Sequence, residues 1–369
     1  VERRADLKTF VNLPWKIYRN DPNWIPPLTK SVLRLLDKEQ HPFWKSAEQL
    51  LLLAYHGSEL VGRIAGVVDK NYNDFHKSGM GIWGFFECVN DEETARALFE
   101  RVEEWVCDQG MTFLRGPLNP STNYEVGMLY DGFEHRPTFM MPYNPPYYND
   151  LVEAAGFRKE KDLLSFIVDN SWRPPEWMTR LAQRVKEERH LTVRCADPDQ
   201  LEREMAIIKS VYDESWSQNW GYVPMSHEEA MEFARDLKLI ADPELISIIS
   251  YKDEPVAVTL VVPDINPLLK RFKGNIGLLG PIRYLLYRKE INGMRGLLFG
   301  IKRQYRQLGI PFVALDYLFN VVLQSQRYFY LELGWNLEDN AAINMLEKEG
   351  GAKPFKKYRV YRKSFADRW

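Results

Sequence analysis

The chain is poor in cysteine, histidine and long apolar runs, and neither sign of charge is in surplus. Three cysteines in 369 residues, Cys88, Cys107 and Cys195, are odd in number and lack CxxC spacing, which argues against a disulfide framework and a thiolate zinc site. They fit a reducing cytoplasm. The nearest approach to a metal set, His41, His56 and His76, has neither helical nor loop ligand spacing, so no metal is expected. No stretch reaches the roughly 20 uninterrupted apolar residues of a membrane-spanning helix, and the start from Val1 leads into no signal-peptide core. With 49 basic and 51 acidic residues the net charge is −2, which excludes whole-surface attraction to nucleic acid and leaves room only for local basic patches. The expected setting is cytoplasmic, at most peripheral to the inner membrane.

What is present is enough chain for two cores, since single cores stop growing at about 250–300 residues. Aromatics, at 13%, serve cores first and aromatic-lined clefts second. Two landmarks repeat along the chain. A β-hairpin pattern, Leu50 to Tyr55, a polar turn, then Leu60 to Val68, is echoed by Leu245 to Tyr251, a polar turn, then Pro255 to Val262. A helix end at Gly156 followed by a basic strand is echoed at Gly350, each glycine standing where a left-handed C-cap is needed. Glu59 and Glu254 lie 195 apart, and Gly156 and Gly350 lie 194 apart, so the landmarks keep nearly one register. The proline-rich stretch 170–175 is the natural linker before a helix over 176–189.

The halves diverge at one turn. In the second half a strand ending Leu297-Leu298-Phe299-Gly300-Ile301 runs into Lys302-Arg303-Gln304-Tyr305-Arg306-Gln307-Leu308-Gly309-Ile310-Pro311 and then a helical run over 312–325. A strand, a basic turn, a glycine and a helix N-terminus in this order suit an anion, because unpaired amides and the helix dipole point at it; a basic loop on a solvated face is the plainer alternative. The corresponding turn of the first half, Glu87-Cys88-Val89-Asn90-Asp91-Glu92-Glu93, is acidic and without glycine. Its carboxylates would repel phosphate and suit the start of a helix over 94–108.

The order within each half, with Arg306-x-x-Gly309 in the second, resembles the GNAT superfamily of acyl-CoA-dependent N-acyltransferases, in tandem as in its double-domain branch and in the Fem-type aminoacyl transferases. The resemblance implies an α/β fold with mixed α+β sheets, two GNAT-like domains over 1–170 and 176–369, and acyl-CoA as co-substrate in the second alone. It implies that Gly300, Ile301, Arg303, Arg306, Gln307, Leu308, Gly309 and Ile310 cradle the pyrophosphate and that Asn340 touches the pantetheine arm; Asn340 serves equally well as a helix N-cap. Pro311 stands where the family has a small residue and removes one amide. The family's tyrosine acid on the last helix is replaced by Leu346, which leaves Tyr358 and Tyr361 of the closing strand as substitutes.

Acyl transfer to an amine needs a proton acceptor and carbonyl-polarising donors. Glu332, interrupting an apolar strand, is the candidate base, since burial would raise its pKa; an outward-facing strand residue is the alternative. Glu87 occupies the equivalent strand end of the first half. Two amide- and aromatic-rich loops, with Asn119, Asn123 and Tyr124 in one and Trp216, Asn219 and Trp220 in the other, are expected either to line the acceptor pocket or to seal an aromatic cluster. Residues 268–273 together with 283–289 interleave cations with apolar and aromatic side chains, the pattern of a membrane-surface segment and equally of a core helix with snorkelling lysines and arginines. The pattern also resembles the bacterial ceramide synthase type of N-acyltransferase. The expected partners are therefore acyl-CoA, an amine acceptor (long-chain if the lipid reading holds) and a peripheral membrane surface, with no nucleic acid. The alternatives are a non-catalytic acyl-CoA-binding or regulatory protein and a Fem-type transferase.

Overall fold

Both hairpin patterns fold as hairpins in the computed structural model, which describes residue 1 and residues 3–365. Positions 366–369 of the second half lie outside the described residues. The first half runs α1 (Arg4–Ile17), α2 (Thr29–Leu35), β1 (Ala47–His56), β2 (Glu59–Asp69), α3 (Lys70–His76), β3 (Met80–Cys88), α4 (Glu92–Asp108), β4 (Phe113–Gly116), β5 (Leu118–Asn119), β6 (Glu125–Val126), β7 (Met128–Asp131), α5 (Tyr147–Ala154) and β8 (Arg158–Asp169). The second runs α6 (Glu176–Glu188), β9 (Leu191–Cys195), α7 (Leu201–Trp216), α8 (His227–Lys238), β10 (Ile246–Tyr251), β11 (Glu254–Pro263), α9 (Asn266–Phe272), α10 (Gly280–Tyr287), β12 (Gly293–Ile301), α11 (Ile310–Ser325), β13 (Tyr330–Leu337), α12 (Ala341–Glu349) and β14 (Lys353–Ser364). The fold is mixed α/β.

The chain forms two compact units that are not continuous in sequence. Unit 1 comprises Val1–Leu163, Asn266–Leu286 and the closing stretch from Lys356; unit 2 comprises Leu164–Ile265 and Tyr287–Phe355. A split at 170–176 follows chain order and misses the two late segments assigned to unit 1. One of them, β14, pairs antiparallel with β4, Tyr361 facing Gly116, a partnership that no local pattern announces.

In unit 1 the strands run β1-β2-β3-β4-β14. Helix α4 starts where its chemistry dictates: the Asp91 side chain accepts the Thr94 amide at 2.8 Å, and Glu92 and Glu93 occupy the positive first turn. Its apolar face buries Leu98, Phe99, Val102 and Val106 against Trp83, Phe86 and Phe157. In unit 2 the order is β9-β10-β11-β12-β13, and α11 packs Ile310, Val313 and Ala314 against Ile249, Val256 and Ala257. One detail of the repeat differs from the sequence reading. Gly156 has φ +92°, but its left-handed counterpart is Gly351 at φ +93°, whereas Gly350 is right-handed helical at φ −67°. Gly156 and Gly351 lie 195 apart, the same offset as the hairpins.

Candidate functional site

Each unit contains a parallel strand pair that is joined over three positions only. In unit 2, β12 and β13 pair at Gly293 with Tyr330, Met294 with Leu331 and Arg295 with Glu332; in unit 1, β3 and β4 pair at Met80 with Phe113, Gly81 with Leu114 and Ile82 with Arg115. A register shift sits just beyond in both: Val261 faces Gly296 while Leu260 faces Leu298, and Ala65 faces Gly84 while Arg63 faces Glu87. The extra residue bends its strand away from the parallel neighbour, so the pair splays and leaves strand backbone unladdered.

The two splays are used differently. In unit 1 the opening is filled by its own chain. The Phe85 amide donates to Asn119 Oδ1 at 2.7 Å, and a Cβ on Gly84 would lie 2.0 Å from the Leu118 carbonyl oxygen. Behind it Arg63 meets Glu87 at 3.4 Å, Tyr148 donates to Glu87 Oε2 at 2.7 Å, and Arg63 Nη1 donates to the Phe10 carbonyl at 2.6 Å. Burial works against both charges, raising the Glu87 pKa and lowering that of Arg63, so the pair acts as an internal polar plug.

In unit 2 the splay opens on a cavity of about 1140 Å³ whose lining residues all belong to that unit. Ordinary small-molecule pockets measure roughly 300–1,000 Å³, so this one has room for a large ligand. The hairpin offset of 195 and the matched parallel pairs make Val258 and Gly300, which face each other, the counterparts of Arg63 and Glu87; Thr259 and Phe299 beside them line the cavity. Where unit 1 holds a buried ion pair, unit 2 has a buried valine and a buried glycine. The walls are apolar side chains of α11, among them Phe312, Leu315 and Phe319, with Leu333 and Trp335 of β13 and Ile343 and Leu346 of α12.

One ionisable group stands out on this wall. Glu347 lines the cavity, accepts a hydrogen bond from Asn336 Nδ2 at 2.7 Å, and has its pKa raised to about 7, because burial penalises its charge more than the amide relieves it. Aligned on Gly156 and Gly351, its counterpart in unit 1 is Val152, a fully buried core residue. The neighbouring pair Asn149 and Asn344 confirms that register, since both are buried and both donate to carbonyls of the preceding segment, Leu129 in one unit and Leu337 in the other. A carboxylate has thus replaced a core valine where the repeat becomes a cavity wall. Sequence reasoning missed Glu347; its signal is an acid one helical turn from Ile343, next to Leu346, on the apolar side of α12.

The basic turn forms a short 3₁₀ segment, Arg303–Leu308, and then Gly309, whose φ of +74° lets the chain reverse into α11. Val185 would lie 3.0 Å from a Cβ there. No side chain caps α11 among the described residues, which leaves its N-terminus available to an anion. Lys302 is engaged internally by Glu254 at 2.9 Å and Glu214 at 3.2 Å, and Tyr305 donates to Glu254 at 2.6 Å. Arg303 donates to Ser217 Oγ at 3.3 Å and the exposed Arg306 to the Ser215 carbonyl at 2.7 Å. Ser215 Oγ, buried on the cavity wall, has no hydrogen-bond partner among the described residues.

The structure therefore brings Ile301, Arg306, Asn340, Trp216, Asn219 and Trp220 to one cavity. Asn340 is the N-cap of α12 by backbone position, but its side chain makes no capping bond. Gly300, Arg303, Gln307, Leu308, Gly309 and Ile310 lie along the strand end and turn without lining it; Ile310 is core, and Gly300 backs onto Val211 and Ser215. Glu332 is fully buried and absent from the lining, on the opposite face of β13 from Leu331 and Leu333, which are lining residues. The remaining residues singled out in the sequence belong to unit 1. Glu87 forms the plug, Asn119 caps Phe85, the Asn123 amide donates to Ser121 Oγ, Tyr124 packs edge-on against His41 and Phe43, and Tyr358 and Tyr361 are fully buried. Among the described residues no group of three or more His, Cys, Asp or Glu side chains could hold a metal ion, and no helix is long and apolar enough to cross a membrane.

No family model matches the chain. It is 30% identical over 372 residues to "Bacterial ceramide synthase" of Caulobacter vibrioides, covering 99% of this chain and 96% of the relative. It is 29% identical over 373 residues to "Protein YghO" of Escherichia coli, covering 98% and 93%. Among solved structures, the tandem GNAT protein from the clavulanic acid biosynthesis pathway superposes with a TM-score of 0.58 at 11% identity, covering 98% of this chain and 96% of that one.

Proposed function

From the premise that the chain has the tandem GNAT fold and belongs to the same family as the Caulobacter protein, we propose that it transfers an acyl group from acyl-CoA to the primary amine of a long-chain base. The observation that carries the reading is Glu347, a carboxylate with a pKa near neutrality on the wall of a large apolar cavity where two strands part.

In this reading the pyrophosphate rests at the turn 302–310, on the N-terminus of α11 and beside Arg303 and Arg306, while the pantetheine arm passes between β12 and β13 with Asn340 at its side. Unladdered strand amides donate to the thioester carbonyl and hold the negative charge that builds on its oxygen. The acceptor enters as an ammonium; Glu347 takes one proton, the freed amine forms the C–N bond, the C–S bond breaks, and the thiolate leaves with a proton of the attacking nitrogen. An acceptor with a long apolar chain is favoured by the cavity's size and lining and by the name of the Caulobacter relative. We place the reaction in the cytoplasm, a setting that suits the free thiols of Cys88, Cys107 and Cys195.

A non-catalytic acyl-CoA-binding protein is the competing reading, favoured by Leu346 at the family's tyrosine position and by the amide lost at Pro311. Titration calorimetry with acetyl-CoA and a long-chain acyl-CoA, on the natural chain and on Arg306→Glu, tests the site. Loss of binding in the variant is expected; undiminished binding would move the site elsewhere. Thiol release on adding a long-chain amine separates transferase from sensor.

A further inference from the structure

We infer that residues 276–289 form a surface that seats on a lipid bilayer carrying anionic headgroups. Of the fourteen large hydrophobic side chains exposed among the described residues, seven fall between positions 276 and 286: Ile276, Leu278, Leu279, Ile282, Tyr284, Leu285 and Leu286. Leu278 is as exposed as in an open peptide, at 101%. The rest are scattered along the chain, which is ordinary for a soluble surface; a cluster of this density is not.

The segment rises from a fixed foot. Asn266 donates to the Pro137 carbonyl at 2.8 Å, Lys270 donates to the Pro22 carbonyl, and Gly274 lies so close to Trp15 that a Cβ would stand 2.4 Å from its ring. The Thr29 amide donates to the Gly274 carbonyl at 2.9 Å. Past this anchor the packing ends: nothing lies within 4 Å of a Cβ placed on Gly277. Within α10, Ile282, Leu285 and Leu286 share one stripe at helical spacing, and all three are exposed.

Charge identifies the occupant. Between Lys270 and Lys289 there are six cations and no aspartate or glutamate. Arg283 is exposed within the apolar cluster, and Arg288 and Lys289, also exposed, follow it directly in the chain. An apolar stripe edged by cations enters the headgroup boundary with its leucines and meets anionic lipid with its arginines and lysines; a protein groove would satisfy the stripe but not this one-signed margin. The proposal stands on this segment alone, independent of the reaction assigned to unit 2.

The test is flotation of the full chain with phosphatidylcholine vesicles, with and without about 30 mol% phosphatidylglycerol. The natural chain is expected to float with the anionic vesicles, and binding is expected to fall about tenfold in Leu285→Gln/Leu286→Gln, in Arg283→Gln/Arg288→Gln/Lys289→Gln, and for the natural chain at about 0.5 M salt. Tyr284→Trp, which keeps an aromatic ring at an exposed position, should show a blue-shifted emission on adding anionic vesicles. Acyl-CoA binding measured on the same samples reads the unit 2 site separately and certifies the fold. Failure of the natural chain to float, undiminished flotation of the Leu285/Leu286 variant, or a solution dimer that this variant dissolves would overturn the proposal, the last by making the surface an interface between copies.

Discussion

Replacing Glu347 by glutamine should remove a proton acceptor and relieve a burial penalty at once. The side chain keeps its shape, and its carbonyl can still accept from Asn336 Nδ2, now at 2.7 Å from Oε2. The carboxyl titrates near 7 in the folded chain against an ordinary 4.5, so the native state holds a proton that the unfolded chain releases. The sign follows: the stabilisation is whole below about pH 4.5 and is lost as pH rises through about 7. The interval is equivalent to about 3 kcal/mol, reduced by partial exposure to about 1–3 kcal/mol. Glutamine carries no such penalty, so at about pH 8 the variant should melt roughly 2–8 °C above the natural chain, the two converging near pH 4. Activity should move the other way. The natural kcat/KM should rise with pH through about 7, and the variant should lose that limb and roughly 10²–10⁴ of the rate. Thermal melts and thiol-release rates across the same buffers measure both. A variant that keeps its rate and its rising limb would refute Glu347 as the base, and a pH-independent difference in melting would refute its raised pKa.

Leu315→Trp, which puts an indole into the cavity from α11, should cut turnover of long acyl chains about tenfold or more while sparing acetyl transfer, read as a change in chain-length profile. Glu87→Leu strands Arg63 without its carboxylate in the buried plug of unit 1 and should cost about 3–5 kcal/mol in denaturant unfolding. Gly309→Val should cost about 1–3 kcal/mol, because φ is +74° and Val185 already crowds the position.

Local patterns made much of this fold legible. Period-two runs about polar turns located both hairpins, and Asp91-Glu92-Glu93 announced the start of α4 within two residues. The basic turn led to the correct strand, glycine and helix because each is fixed by residues within about a dozen positions. The rest depends on partners far away in sequence. Nothing near Tyr361 says that β14 will pair with Gly116. Glu332 looked catalytic because it interrupts an apolar strand, but which face the strand turns to the cavity is set by the three-pair ladder with β12. Glu347 was hidden by a slip of one residue: matching Gly156 to Gly350 aligns it with another acid, Glu153, whereas the left-handed Gly351 aligns it with Val152 and exposes the contrast.

The cavity of unit 2 is the place proposed here for acyl transfer. Mass spectrometry of a reaction containing long-chain acyl-CoA and a long-chain primary amine, with free thiol counted in parallel, tests it most directly. Amide and thiol are expected in equal amounts from the natural chain, with both lost together in Arg306→Glu and Glu347→Gln. Binding of acyl-CoA without amide or thiol, or product undiminished in those variants, would contradict it.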